Sequence, residues 1–114
     1  MVSDFGLWIK QHMDEADLNL TGLARKLGLA HTSVRAWIEG ETRPEDENMR
    51  AMARVFNVAV IEVYQAAGVI PAGMDLPELK ARVIELALEM DEPWKLRSLE
   101  ALLLSLRDES QTSE

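Results

Sequence analysis

The sequence predicts an all-α fold. Strand-like alternation is nearly absent, and Ala, Leu, Glu, Met and Arg, all good helix formers, dominate. Apolar residues recur every three or four positions in stretches interrupted by Gly, Pro and Asn. Of 114 residues, 47% are hydrophobic, enough to fill one small core.

The first helix is expected over residues 3–15. Ser3 is placed to cap it, and Phe5, Trp8/Ile9 and His12/Met13 recur at helical spacing. After a turn at Asp17-Leu18, Asn19 caps a second helix over 20–27, with Leu20, Leu23, Ala24 and Leu27 inward. Gly28 supplies the left-handed residue that ends it. The third helix, 31–39, turns Val34, Trp37 and Ile38 inward, and Gly40 ends it by the same device. Pro44 followed by Glu45-Asp46-Glu47 marks a helix start, because acids suit the positive end of the helix dipole. That fourth helix, 45–56, buries Met49, Met52, Ala53 and Phe56 and is broken at Asn57. The fifth, 60–67, buries Val60, Ile61, Val63 and Tyr64 and stops at Gly68.

Residues 69–74, with Pro71 and Gly73, read as a linker. Asp75-Leu76-Pro77-Glu78 resembles a capping box that opens a sixth helix reaching Met90. Its stripe is Leu76, Leu79, Val83, Leu86/Ala87 and Met90. Asp91-Glu92-Pro93 turns the chain into a seventh helix that carries Trp94, Leu96, Leu99, Leu102/Leu103 and Leu106 and ends near Arg107, with residues 110–114 frayed. The expected organisation is therefore a domain over 1–70 and a helical hairpin over 75–109.

Composition narrows the function. Without Cys there are no disulfides, thiolate metal sites or Cys nucleophiles, and a reducing compartment fits. No apolar run approaches the roughly 20 residues of a membrane span, and no signal-peptide pattern opens the chain. A cytoplasmic protein is expected, with no membrane partner. The net charge of −8 is unusual for a nucleic-acid binder, but it is unevenly spread. Residues 1–70 hold 7 Lys/Arg and 10 Asp/Glu, and residues 71–114 hold 5 and 10. From Arg25 to Arg43, Arg25, Lys26, Arg35 and Arg43 outnumber Glu39 and Glu41.

That locally basic stretch contains the most informative pattern. Residues 19–40 form two short helices joined at Gly28 and closed at Gly40, the layout of a DNA-reading helix-turn-helix. Around it stand Leu23-Ala24, Leu27-Gly28, Val34, Trp37, Gly40, Arg43-Pro44, Met49, Met52-Ala53, Phe56, Val58 and Glu62-Val63-Tyr64. With these landmarks at family spacing, residues 5–70 resemble the Cro/C1 phage-repressor type of helix-turn-helix, the XRE family. The resemblance implies a five-helix, lambda-repressor-like domain that binds double-stranded operator DNA as a homodimer. It sets His31, Thr32 and Ser33 at base edges, Arg35 and Ala36 further along the same face, and Arg43 in a loop beside the DNA backbone. The chain departs from the family pattern where Leu20 replaces the usual Gln, where Ala30 replaces the usual Ser or Thr cap, and where Met13 and Ile38 replace an Arg–Glu pair. The last exchange predicts that Met13 touches Ile38.

Each candidate has a competing reading. Arg35 can grip guanine O6 and N7 with parallel hydrogen bonds, or it is a solvated Arg paired with Glu39. His31 is a base or phosphate contact, or a simple helix-start residue. Thr32 and Ser33 offer hydroxyls to DNA, or only occupy the start of a helix. Asn19 joins the DNA-contacting set besides capping the second helix, and Arg25 and Lys26 read as solvated. Glu45-Asp46-Glu47 complement the dipole and are not a metal site, and His12 is a partly buried structural residue. For pairing, the Leu-rich seventh helix is apolar around more than one stripe, so Leu99, Leu102, Leu103 and Leu106 form the expected dimer surface. The alternative is that both sides of this helix pack within one chain.

The expected function is thus a dimeric, sequence-specific transcriptional regulator that represses by occupancy. The alternative is a protein-interaction module, antitoxin-like, whose acidic C-terminal hairpin binds a protein partner. No phosphate-binding Gly loop or HExxH is present, so no enzyme activity, cofactor or metal is expected.

Overall fold

The computed structural model describes residues 2–112, with side chains described through Arg107. Among these residues all regular structure is helical: α1 (Asp4–Glu15), α2 (Leu20–Leu27), α3 (His31–Ile38), α4 (Asp46–Phe56), α5 (Val60–Ala66), α6 (Leu76–Glu89) and α7 (Pro93–Thr112). Every expected helix is present, with most ends within a residue of expectation.

The caps explain where the helices begin. Ser3 Oγ accepts from Gly6 N at 2.9 Å, Asn19 Oδ1 from Gly22 N at 2.7 Å, and Asp75 Oδ1 from Glu78 N at 2.8 Å. Each satisfies a donor that the first helical turn leaves unpaired. In the capping box, the Glu78 carboxylate lies 3.6 Å from Arg82 in an ion pair. Pro93 opens α7 instead of belonging to the turn before it, since the first helical position needs no N–H. At its other end α7 continues to Thr112, so the fraying expected over 110–114 is not seen through that residue; residues 113–114 lie outside the described residues.

α2 packs on α3 and α4, α1 on α3 and α5, and α4 on α5. Ile9, Leu23, Val34, Met52, Val63 and Tyr64 are fully enclosed at the centre. Met13 and Ile38 are both buried in this core, where α1 meets α3. Two backbones come close there: Ser3 N donates to Ile38 O at 3.1 Å, and a Cβ added at Gly6 would stand 2.1 Å from that same oxygen.

The C-terminal third departs from expectation. Residues 69–74 are not a free linker, because Val69, Ile70 and Met74 are buried. The Gln65 amide donates to Pro71 O at 3.2 Å and Met74 O at 2.7 Å, fastening this connection to α5. α7 packs chiefly on α5 and α4. Leu79 and Leu86 of α6 and Leu99 and Leu102 of α7 join the same core as the first five helices. The 1–70 and 75–109 segments therefore share one hydrophobic interior.

Candidate nucleic-acid interface

The turn between α2 and α3 is built by backbone geometry. Gly28 adopts φ 72°, ψ 30°, a left-handed conformation that glycine, with no Cβ, reaches at the least cost. Its N–H bonds Arg25 O at 3.1 Å, and Leu29 N bonds Ala24 O at 2.9 Å, so the last carbonyls of α2 are satisfied. Ala30 then starts α3 with no side-chain cap, as its methyl group dictates.

α3 is two-faced. Val34, Trp37 and Ile38 are buried, which fixes the helix on α1 and α2. His31, Thr32 and Arg35 are exposed on the other side, while Ser33 is half-buried at its edge. The Arg35 guanidinium makes no ion pair or hydrogen bond with any described residue, so the alternative pairing with Glu39 is not formed. Arg25 and Lys26, exposed on the last turn of α2, add positive charge nearby. Asn19 is exposed, and its Oδ1 is used by the cap, which leaves its amide N–H groups outward. Leu20 is half-buried against the core instead of offering a polar head.

Arg43, in the loop between α3 and α4, is exposed and stacks its guanidinium 4.1 Å from the centroid of the Trp94 ring on α7. This contact joins residues far apart in sequence, and nothing in the helical periodicity signals it.

The expected dimer residues divide. Leu99 and Leu102 lie in the chain's own core, 3% and 0% exposed, because α7 turns that side onto α5 and α4. They are therefore not a surface for a second chain. Leu103 and Leu106 are half-buried against the same core. The large apolar side chains left most exposed in the C-terminal third are Ile84 and Leu88 of α6, at 74% and 81%.

The acids that open α4 serve structure. Asp46 accepts from the Tyr64 hydroxyl at 2.7 Å, and burial, reinforced by that carboxylate, holds the phenol well above its ordinary range. Among the described residues no group of three or more His, Cys, Asp or Glu side chains could hold a metal ion. His12 bonds the Trp8 carbonyl through Nδ1 at 2.9 Å and packs on Trp8 and Phe56, a structural role. No helix among the described residues is long and apolar enough to cross a membrane.

Residues 9–63 match a family model described as helix-turn-helix. The matched segment runs from the middle of α1 into α5 and covers a little under half of the chain; α6 and α7 lie outside it. Comparison with curated proteins and with solved structures gave no match.

Proposed function

Because residues 9–63 are a helix-turn-helix domain of the Cro/C1 (XRE) type, a DNA-binding and transcription-regulating domain, we propose that this protein reads double-stranded DNA with the outer face of α3. The observation that carries this reading is Arg35: exposed, without an ion-pair or hydrogen-bond partner among the described residues, and carried on a helix fixed by the burial of Val34, Trp37 and Ile38 on the opposite side. A free guanidinium on a rigid helix is the group best suited to bind guanine O6 and N7 together. His31, Thr32 and Ser33 precede it at the end of α3 that enters the groove. Asn19 and Arg43 flank them as phosphate contacts, which position the protein without reading sequence.

The finer reading is a cytoplasmic repressor that acts as a dimer on a pseudo-palindromic operator and blocks access by occupancy. Two-fold pairing sets the reading helices about 34 Å apart, one DNA turn. The pairing surface on this reading is α6 against α6 of a second copy. Ala81, Ile84 and Leu88 are exposed at three- and four-residue spacing, the pattern of a two-helix seam. Lys80 flanks one side of the stripe without an ion-pair partner among the described residues, and Glu85, which pairs with Arg82 of its own helix at 3.3 Å, flanks the other. In a parallel pair each Lys80 meets Glu85 of the mate, whereas an antiparallel pair brings like acidic flanks together. Charge thus favours a second copy in parallel.

A C-terminal region that folds on a protein partner, as in an antitoxin, is less well supported. Leu79, Leu86, Leu99 and Leu102 are already satisfied within the chain.

The test is selection from a random duplex library, then affinity for the winner across a salt series, with Arg35→Ala alongside. A palindromic winner is expected, with affinity falling steeply with salt. Arg35→Ala should lose about 1–3 kcal/mol and relax one base position. Failure to enrich any sequence at low salt would refute autonomous DNA reading.

A further inference from the structure

The contact between Arg43 and Trp94 lies partly outside the helix-turn-helix match, because Trp94 belongs to α7. Three features hold the ring in place. Its Nε1 donates to the Glu92 carboxylate, which also pairs with Lys95 at 3.8 Å. Ser98, one turn on, is buried. Leu99 and Leu102 then bury that side of α7, whose backbone packs on α4 and α5. On the other side of the contact, Arg43 precedes the buried Pro44 in a short loop. Its guanidinium has no carboxylate partner among the described residues, although Glu41 and Glu45 line the same cleft.

The chemistry of stacking matters here. A guanidinium bound through its face keeps its N–H donors, which lie in the plane at the edge, free for another acceptor. Stacked on the ring, the cation forms no ion pair with Glu41 or Glu45 of the same cleft. A long side chain ordered before binding loses less freedom when it meets a ligand.

We propose that Trp94 is a positioning residue for DNA binding: its ring holds the Arg43 guanidinium by one face so that the edge meets a backbone phosphate. The C-terminal helices then contribute to affinity without touching DNA. This rests on the reading of Arg43 as a phosphate contact.

The test uses the full chain and the duplex from the selection, with affinities measured across a salt series. The variants are Arg43→Ala, Trp94→Leu, Trp94→Phe and the Arg43→Ala/Trp94→Leu double. Arg43→Ala is expected to weaken binding and to reduce the salt slope by about 0.9, the loss of one phosphate contact. Trp94→Leu should weaken binding about three- to tenfold, and Trp94→Phe, which keeps a π face, by clearly less. In the Arg43→Ala background Trp94→Leu should cost nothing further, as two residues acting through one contact require. The proposal is overturned if Trp94→Leu binds like the wild type while Arg43→Ala is impaired. It is equally overturned if the Trp94→Leu loss persists undiminished without Arg43, the mark of a merely structural role. If Arg43→Ala leaves affinity and slope unchanged, the phosphate reading of Arg43 itself fails, and the proposal with it.

Discussion

Gly6→Ala is the substitution for which local and tertiary effects disagree most sharply. By helix propensity alone, Ala in the first turn of α1 should stabilise by at most about 1 kcal/mol. The added Cβ would stand 2.1 Å from Ile38 O and 2.8 Å from Ile38 C. An ordinary carbon–oxygen approach is about 3.3 Å, so α1 must retreat by roughly 1 Å. The obstacle is backbone at the end of α3 and cannot swing aside like a side chain. Retreat also stretches the Ser3 N to Ile38 O hydrogen bond and loosens Ile9, Met13 and Ile38. Overpacking costs about 1–3 kcal/mol and the hydrogen bond about 1 kcal/mol. Set against the propensity gain, the net destabilisation is about 1–3 kcal/mol. Urea unfolding followed by circular dichroism measures it directly, with the slope m checked for constancy. Gly22→Ala is the comparator: its Cβ would meet the Asn19 Oδ1, which also caps α2, at 3.1 Å and Leu18 Cδ2 at 3.4 Å, contacts that a shift of a few tenths of an ångström relieves. It should stay within about 1 kcal/mol of the wild type. A Gly6→Ala protein as stable as the wild type, or more so, would refute the close approach of α1 to α3.

Two further outcomes follow from features of the core and the surface. The raised pKa of Tyr64 leaves stability untouched below the ordinary phenol value of 10. Above it the unfolded chain releases a proton that the folded chain retains, so stability should fall as pH rises, by up to about 1.4 kcal/mol per pH unit. Denaturant midpoints across that range should show this slope in the wild type and a shallower one in Tyr64→Phe; equal slopes would remove Tyr64 as the cause. On the proposed α6 pairing, the wild type should sediment as a dimer and Ile84→Glu with Leu88→Glu as a monomer, with chain stability little changed, since both residues are exposed. An unchanged sedimentation coefficient would exclude α6 as the pairing surface.

Much of the fold was legible because its signals are local. Ser3, Asn19 and Asp75 cap the helices that follow them, and Gly28 and Gly40 take the left-handed turns their positions implied. The exposed face of α3 follows from the inward spacing of Val34, Trp37 and Ile38. What escaped depends on surfaces distant in sequence. Leu99 and Leu102 looked like surplus hydrophobicity because no local pattern reveals the outer side of α4 and α5 on which they pack. In residues 69–74 the breakers Pro71 and Gly73 signal a linker, while the flanking Val69, Ile70 and Met74, all buried, carry the opposite message. Gly6 carries a sequence hint of its own, since a glycine within a helical segment points to close backbone approach. The partnership of Arg43 and Trp94 had no sequence signal beyond the two residue types.

The strap formed by residues 69–74 bears on how such a protein can be rearranged. A reading head joined to its companion by a loose tether is an exchangeable part, and new combinations arise by cutting and rejoining the tether. Here a cut after Ile70 runs through the interior, separating Ile70 from Met74 and the Gln65 amide from the two carbonyls it ties down. A foreign C-terminal segment would inherit a hole shaped for Met74, Leu79 and Leu102. The head and the helices behind it must therefore change together, and a chimera has to carry the strap and its lining along with whichever half it keeps.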